Sequence, residues 1–263
     1  MLISIRATFL KTWIFALAVF PLLLLCNSFA RAGESPAQRA EKKFVAARKI
    51  YQQQPNNTEA SWQFGRACFD WAEFATDDDQ REAIALAGIE ACRGAIEKDP
   101  GAVHGHYYLA MNLGQLARTK SIGALKLVRE MEEEFTTARE RDAKFDFAGP
   151  DRNLGQLYFE APGWPTSIGS RSKARKHFEN SLRLMPNYPE NYLNAIEALL
   201  KWGDDDSAEH QFKALKKIWP SAKKELSGED WAGIWKDWEN RLSRIQSKLV
   251  QRSKNLESPR ETK

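Results

Sequence analysis

Apolar residues recur along most of this chain at the three- and four-residue spacing of an amphipathic helix, and almost nowhere at the alternate spacing of a strand. The clearest case runs from Pro189 to Pro220, where a helical pattern, a turn at residues 203–206 and a second helical pattern follow each other. We interpret Pro220 as the end of the second helix, because proline lacks a backbone N–H. Each such helix has one apolar face that a neighbour must cover, so the pattern predicts an all-α protein built from packed helix pairs.

This helix–turn–helix unit recurs with some variation. Further units begin at Thr58, near Val103 and at Ala148. Their length and pattern resemble the tetratricopeptide repeat (TPR), a helix pair of about 34 residues. Small residues on the packing faces, such as Gly65 and Gly155, let neighbouring helices approach closely. We therefore predict a TPR-like helix–turn–helix solenoid over residues 58–220, since each pair can bury its apolar face only against its neighbours.

Helical segments flank the predicted array on both sides. Residues 33–57 predict a lead-in helix, residues 221–250 a C-terminal capping helix, and residues 251–263 a disordered polar tail. The capping helix carries three tryptophans spaced four and three residues apart on one face: Trp231, Trp235 and Trp238. We expect this stripe to be buried against the last repeat, with a docking face for a partner as the alternative.

The first 32 residues have the layout of a secretory signal peptide. Basic residues precede an apolar run over residues 12–25, and a small-residue cleavage motif ends at Ala32. We therefore predict removal of residues 1–32, a mature chain that begins at Gly33, and export to the periplasm. Two alternatives tether the protein to the membrane instead: an uncleaved anchor, or a lipoprotein modified at Cys26.

Charge and cysteine content restrict the possible functions. The chain has 39 basic and 35 acidic residues, and the leader contains three of the basic ones, so the rest is nearly neutral. This balance argues against nucleic acid as a partner. Beyond the leader, Cys68 and Cys92 remain. They form either one disulfide, as exported proteins allow, or two separate buried thiols.

No catalytic or metal-binding motif stands out. A nucleophile elbow and a phosphate-binding loop are both missing, and His104 and His106 are spaced so that they project from different faces of one helix. Two triple-aspartate runs, residues 77–79 and 204–206, lack the spacing of a calcium loop and are typical of helix starts. We therefore expect a protein that is not an enzyme and that has no metal and no cofactor.

Aromatic residues and two arginines follow the stripe of the first helices that lines the concave surface of a TPR array. The candidate binding residues on this stripe are Trp62, Arg66, Phe69, Tyr107, Met111, Arg152, Gln156 and Phe159. They predict a groove for an anionic, partly apolar small molecule or for a segment of a partner protein. The alternative is that these aromatics are simply buried against neighbouring helices.

An insertion interrupts the third unit between its two helices. Residues 161–170 contain two prolines, two glycines and Trp164, and helices in antiparallel pairs usually need a shorter connection. We consider Trp164 a candidate binding residue that contacts a ligand or partner beside the groove. In the alternative interpretation, its indole closes the end of the helix pair and only stabilises it.

The segment from Trp62 to Pro220 also resembles a narrower family, the T component associated with bacterial TRAP transporters. The resemblance depends on Gly149-Pro150-x-Arg152-x-Leu154-Gly155, on Pro162-Gly163-Trp164-Pro165 and on Pro186-x-x-x-Glu190-Asn191. It implies an exported accessory protein of a solute transport system, whose partner is a periplasmic substrate-binding subunit or another envelope protein. Members are typically lipoproteins, whereas the residue before Cys26 is not small. A general envelope scaffold without a transporter is the alternative function, and homo-oligomerisation stays open.

Overall fold

The computed structural model describes residues 34–120 and 123–257. Within these residues the chain forms ten helices and no strand. The helices are α1 (Pro36–Gln53), α2 (Thr58–Ala72), α3 (Asp78–Lys98), α4 (Val103–Arg118), α5 (Ala124–Arg141), α6 (Phe145–Glu160), α7 (Arg171–Leu184), α8 (Pro189–Lys201), α9 (Asp205–Glu225) and α10 (Glu229–Glu257). The predicted leader, with Cys26 and the expected cleavage site before Gly33, lies outside the described residues.

Helices α2 to α9 pack as four successive pairs, α2–α3, α4–α5, α6–α7 and α8–α9, and each pair also packs on the next. This arrangement confirms the predicted all-α, TPR-like solenoid. Close approach within a pair depends on the predicted small residues. A side chain at Gly65 would collide with Cys92 Sγ, and a Cβ at Gly155 would lie 2.6 Å from the ring of Phe178. Cys68 and Cys92 are both buried and free, with no disulfide between them.

The two triple-aspartate runs start the second helices of the first and last pairs. The Asp77 carboxylate accepts a hydrogen bond from the backbone N–H of Gln80 at 2.7 Å, and Asp204 accepts one from Ser207 at 3.3 Å. Both helices have two further aspartates in their first turn, where the positive end of the helix dipole favours negative charge. The runs are therefore helix caps, as the sequence suggests.

Helix α10 covers the last pair and buries its tryptophans. Trp235 and Trp238 are buried, Trp231 is half-buried, and the rings of Trp235 and Trp238 lie 4.9 Å apart in an edge-to-face contact. This confirms the capping interpretation of the stripe. The beginning of α10 also reaches α1, where Lys43 Nζ lies 2.8 Å from Asp230 Oδ1. None of the described helices is long and apolar enough to cross a membrane.

Two predicted boundaries are wrong. Helix α9 does not end at Pro220 but continues to Glu225. Trp219 and Ala222, on either side of that proline, pack in the apolar cluster under α10, and this packing outweighs the lost hydrogen bond. Helix α10 extends to Glu257, so the predicted disordered tail is helical from residue 251 to that position.

Candidate binding site

The structure divides the predicted concave stripe into a buried part and an accessible part. Tyr107 and Arg152 are buried, with 1% and 5% of their surface exposed. Five others are half-buried: Trp62, Phe69, Met111, Gln156 and Phe159. Arg66 and Trp164 are exposed. The stripe is therefore not one continuous binding surface, and its two parts have different chemistry.

The buried part surrounds an unusual turn at the start of α6. Asp146, Phe147 and Ala148 all adopt left-handed backbone conformations, with φ of 47°, 56° and 62°. Such conformations are unfavourable for residues with a Cβ, at about 1–2 kcal/mol each. The regular part of α6 then begins at Gly149-Pro150. A turn of this kind persists only where surrounding contacts hold it.

Arg152 provides most of those contacts. Its guanidinium donates hydrogen bonds to the backbone oxygens of Asp146 and Phe147 at 3.1 and 3.2 Å, and to the Asp146 carboxylate at 2.8 Å. It also donates to the side-chain oxygen of Asn191, and it lies 5.2 Å from the centre of the Tyr188 ring. Because the side chain is buried and these hydrogen bonds all go to the protein itself, Arg152 stabilises the turn and does not present its charge to the surface.

Tyr107 completes this cluster from the neighbouring repeat. Its hydroxyl donates a 2.5 Å hydrogen bond to the same Asp146 carboxylate and accepts one from Asn153 at 2.9 Å. Burial, reinforced by the charge of Asp146, raises the pKa of Tyr107 well above its ordinary value. The phenol therefore remains a neutral donor, and it connects the second repeat to the third.

An aromatic group lies beside this cluster, toward the first repeat. The Trp62 indole stacks on the His104 ring at 4.3 Å, and His104 contacts Phe145 edge to face at 4.8 Å. The guanidinium of Arg66 lies 5.9 Å from the Tyr108 ring centre. Burial lowers the pKa of His104, which favours the neutral imidazole in this apolar setting.

The accessible part of the stripe is a groove of about 550 Å³, which we call the α2–α6 groove. It lies between α2, α4, α5 and α6, and its lining is mainly apolar. Three predicted stripe residues line it, Phe69, Met111 and Gln156, together with Leu125, Met131 and Pro162. Phe135 and Leu157 are also part of this lining. A groove of this size and polarity suits the side chains of a bound segment.

The insertion at residues 161–170, here called the Trp164 loop, forms one wall of this groove through Ala161 and Pro162. Backbone hydrogen bonds join Gly169 N–H to the Pro162 oxygen at 2.9 Å and Thr166 N–H to the Gly163 oxygen at 3.0 Å. Trp164 is 88% exposed at the tip of this braced loop. The interpretation of Trp164 as a plug for the end of the helix pair is therefore wrong.

A second buried polar cluster was not predicted from the sequence. The fully buried Asp151 carboxylate accepts hydrogen bonds from Arg139 Nε at 3.0 Å and from His177 Nδ1 at 2.7 Å. Burial by itself raises the pKa of a carboxyl group. At Asp151 the hydrogen bond from His177 and the charge of Arg139 outweigh this effect and hold the pKa below its ordinary value. Its members come from α5, α6 and α7, and no spacing within one helix indicates such a cluster. Among the described residues, no group of three or more His, Cys, Asp or Glu side chains could hold a metal ion.

Comparisons with known proteins agree with this architecture. A family model described as "Regulator of microtubule dynamics protein 1-3" matches residues 29–145, which is less than half of the chain. The chain is similar to the crystal structure of TTC0263, a thermophilic TPR protein of Thermus thermophilus, with a TM-score of 0.57 and 17% identity; the match covers 81% of this chain and 91% of that one. It is also similar to the crystal structure of MamA, with a TM-score of 0.50 and 17% identity over 72% of this chain and 98% of that chain. The search of curated proteins gives no match. At this level of identity, the similarity shows a TPR-like fold.

Proposed function

We propose that this protein is a non-enzymatic binding module that holds a segment of a partner protein in the α2–α6 groove. The observation that carries the proposal is the groove itself, an apolar concavity of about 550 Å³ formed by the first helices of the first three repeats and by α5. An extended or helical segment with apolar side chains fits such a groove better than a small polar molecule does. Helix pairs that stack in this way commonly present concave binding surfaces.

The more specific form of the proposal is an accessory role in TRAP-type solute transport, with a periplasmic substrate-binding subunit as the partner. Its support is the sequence resemblance, above all the Pro162-Gly163-Trp164-Pro165 loop and the Gly149-Pro150-x-Arg152 stretch. Export to the periplasm, with or without a lipid tether, belongs to this proposal. A general envelope scaffold is the alternative, and an anionic, partly apolar small molecule is the alternative occupant of the groove.

Site-specific photocrosslinking in cells that carry the native gene tests this function. A photoreactive amino acid replaces Leu125, which is 39% exposed and lines the groove, or Leu86, which is 47% exposed on α3 and serves as the matched control. We expect discrete protein adducts from position 125 and none of the same mass from position 86. A substrate-binding subunit in the adduct supports the transport role, and another envelope protein supports the scaffold. Equal adducts at both positions, or none at position 125, contradict groove binding.

A further inference from the structure

The two ends of the helical array meet at one small contact between α1 and α10. Lys43 Nζ lies 2.8 Å from Asp230 Oδ1, and the two side chains are 59% and 74% exposed. Three residues further along α10, a Cβ at Gly233 would lie 3.7 Å from the Cβ of Pro36. None of the apolar clusters formed by the described residues contains side chains from both helices. The contact therefore depends on an ion pair and on little apolar packing.

An exposed ion pair of this kind is a weak restraint, because water and salt screen its attraction. It shifts a conformational equilibrium by at most about fivefold. The hydrogen bond and charge of Lys43, followed by the charges of Arg39 and Arg66, hold the pKa of Asp230 below its ordinary value. Asp230 is therefore ionised at neutral pH and close to three cations, so reversal of its charge is the most direct way to break the contact.

Helix α1 is the weakly held member of this contact. Among its residues, only Ala40 is buried. Phe44 and Tyr51 are half-buried and pack on Phe64 of α2, with ring centres 5.7 and 5.1 Å from that of Phe64. On another side, α1 borders an open groove of about 480 Å³ that is also lined by residues of α2 and α3. This groove separates α1 from α3, so α1 has space to move.

Helix α10 is fixed by comparison. It buries Trp235, Trp238 and Ile245 in the apolar cluster of the last repeat, and its Trp231 ring contacts Phe147 edge to face at 6.0 Å. Elements with little buried apolar surface open at a lower free energy than elements of the core. When the α1–α10 contact opens, α1 is therefore the helix that moves, and its last turn remains packed on α2.

The contact lies close to the concave stripe, beside the α2–α6 groove. Arg66 of the stripe pairs with Asp70 at 3.9 Å, and it is near enough to Asp230 for its charge to act on that carboxylate. The charge of Lys43 acts on Asp70 in turn. Phe69, the residue before Asp70, lines the groove. A bound segment that continues from the groove past Phe69 toward the start of α2 therefore meets the α1–α10 contact.

We propose that the α1–α10 contact is a latch on the concave face. In the structure the latch is closed and limits the accessible concave surface at Arg66. Opening separates α1 from the beginning of α10 and gives a partner segment room to continue between them. Because such a segment binds fully only to the open latch, its binding shifts the latch toward the open state. Opening itself requires no partner, whereas its coupling to binding rests on the proposed function.

Distances between spin labels test whether the latch opens. One pair of labels replaces Glu41 on α1 and Lys236 on α10, and a control pair replaces Lys217 on α9 and Lys236, all at exposed positions. Asp230→Lys is expected to add a population in which the first pair is about 10 Å further apart, the width of a helix, and to leave the control pair unchanged. The charge exchange Lys43→Asp, Asp230→Lys is expected to reverse most of this change.

A second exposed ion pair provides the matched control variant. Lys223 lies 2.5 Å from Glu239, and this pair joins α9 to α10 without involving α1. Glu239→Lys therefore removes a similar attraction and changes the net charge equally, but it is expected to leave both label distances as in the wild type. The proposal is overturned if Asp230→Lys keeps the wild-type distance distribution, or if Glu239→Lys changes that distribution equally.

An engineered disulfide tests the coupling to binding. A Cβ–Cβ distance of 3.7 Å suits a disulfide, so Pro36→Cys, Gly233→Cys is expected to lock the latch on oxidation. Cys68 and Cys92 are buried, and Cys26 is replaced by Ser. With the photoreactive residue at position 125 in a cell extract, the oxidised protein is expected to give at least about fivefold less adduct than the reduced protein. Gly233→Cys alone is expected to give equal adduct under both conditions.

The outcomes separate the latch from the proposed function. Equal adduct from the locked and the reduced protein overturns the coupling of the latch to binding. The absence of any adduct from the reduced protein contradicts the proposed function itself, and the latch is then decided by the label distances alone.

Discussion

The two arginines predicted for the concave stripe have opposite environments. Arg152 is buried and donates all of its described hydrogen bonds to the protein itself, at the left-handed turn before α6. Arg66 is exposed and lies beside the Tyr108 ring. Both occupy the same face of equivalent helices. Their difference comes from the preceding residues, because only α6 begins with a strained turn whose carbonyl groups need a donor.

The same contrast separates two regions of the concave surface. Around Arg152 the polar groups are buried and hydrogen-bonded to one another. That region therefore connects the second, third and fourth repeats. In the α2–α6 groove, apolar groups line an open cavity, which makes that region available for binding. We therefore expect substitutions in the first region to change stability, and those in the second to change binding.

The largest effect tests the helix pairing on which both regions depend. Phe178 is buried and packs against Gly155 within the third pair. Phe178→Ala is expected to lower the free energy of unfolding by about 3–5 kcal/mol, because it leaves a cavity. Chemical denaturation measures this change. A loss below about 1 kcal/mol would mean that the α6–α7 pair does not pack in this register.

The next effect tests the structural role of Arg152. Arg152→Ala removes the donors from the left-handed turn and leaves its carbonyl groups and Asp146 without them. The expected loss of unfolding free energy is about 3 kcal/mol. Arg152→Lys keeps the charge but cannot bridge the same acceptors, so it recovers only part of this loss. The matched variant Arg66→Ala is expected to change stability by less than about 0.5 kcal/mol. Equal losses of unfolding free energy in Arg152→Ala and Arg66→Ala would contradict the structural role assigned to Arg152 alone.

A smaller effect concerns acid stability. The folded-state pKa of Asp151 is lower than that of an unfolded aspartate, about 3.9, so its contribution to stability is present above that pH and is lost as pH falls through the folded value. Asp151→Asn is expected to lower the unfolding free energy at neutral pH by about 2 kcal/mol and to flatten its decline below about pH 4. Denaturation curves between neutral and acidic pH measure both effects. If the unfolding free energy of Asp151→Asn declined below about pH 4 as steeply as that of the wild type, the Asp151 cluster would not be the source of this loss of stability.

The smallest effect on stability is expected at Trp164. Because its indole is 88% exposed, Trp164→Ala is expected to change the unfolding free energy by less than about 0.5 kcal/mol. The same variant is expected to weaken binding of a partner to the groove, measured as loss of the photocrosslinked adduct from position 125. A large drop in melting temperature with intact binding would show that the Trp164 loop has a structural role and would contradict its assignment to the binding region.

Most of the fold could be predicted from the sequence, because repeated helical periodicity is a local signal that tertiary contacts rarely overrule. The four pairs, both aspartate caps and the buried tryptophans of α10 all followed from spacing. The end of α9 could not be predicted from spacing. The helix continues through Pro220 because Trp219 and Ala222 pack in the apolar cluster under α10, and α10 is a separate, later segment of the chain.

The candidate site could be predicted only in part. Helix register places Phe69, Met111 and Gln156 on the concave face, and the groove contains them. The burial of Arg152 and Tyr107 could not be predicted from helix register. Both side chains bind Asp146 in the left-handed turn, and Asp146-Phe147-Ala148 contains no glycine that would indicate such a turn. The Asp151 cluster joins three helices, so its members share no sequence spacing.

Methionine methyl resonances test most directly whether the groove is the binding surface. Three methionines lie in the described helices and their flanks: Met111 and Met131 line the groove, whereas Met185 packs in the separate cluster under α10. With carbon-13 methyl labels, addition of the partner protein identified by photocrosslinking is expected to shift the Met111 and Met131 signals and to leave Met185 unchanged. Saturated binding that shifts Met185, or that leaves both groove methyls unmoved, would contradict the account.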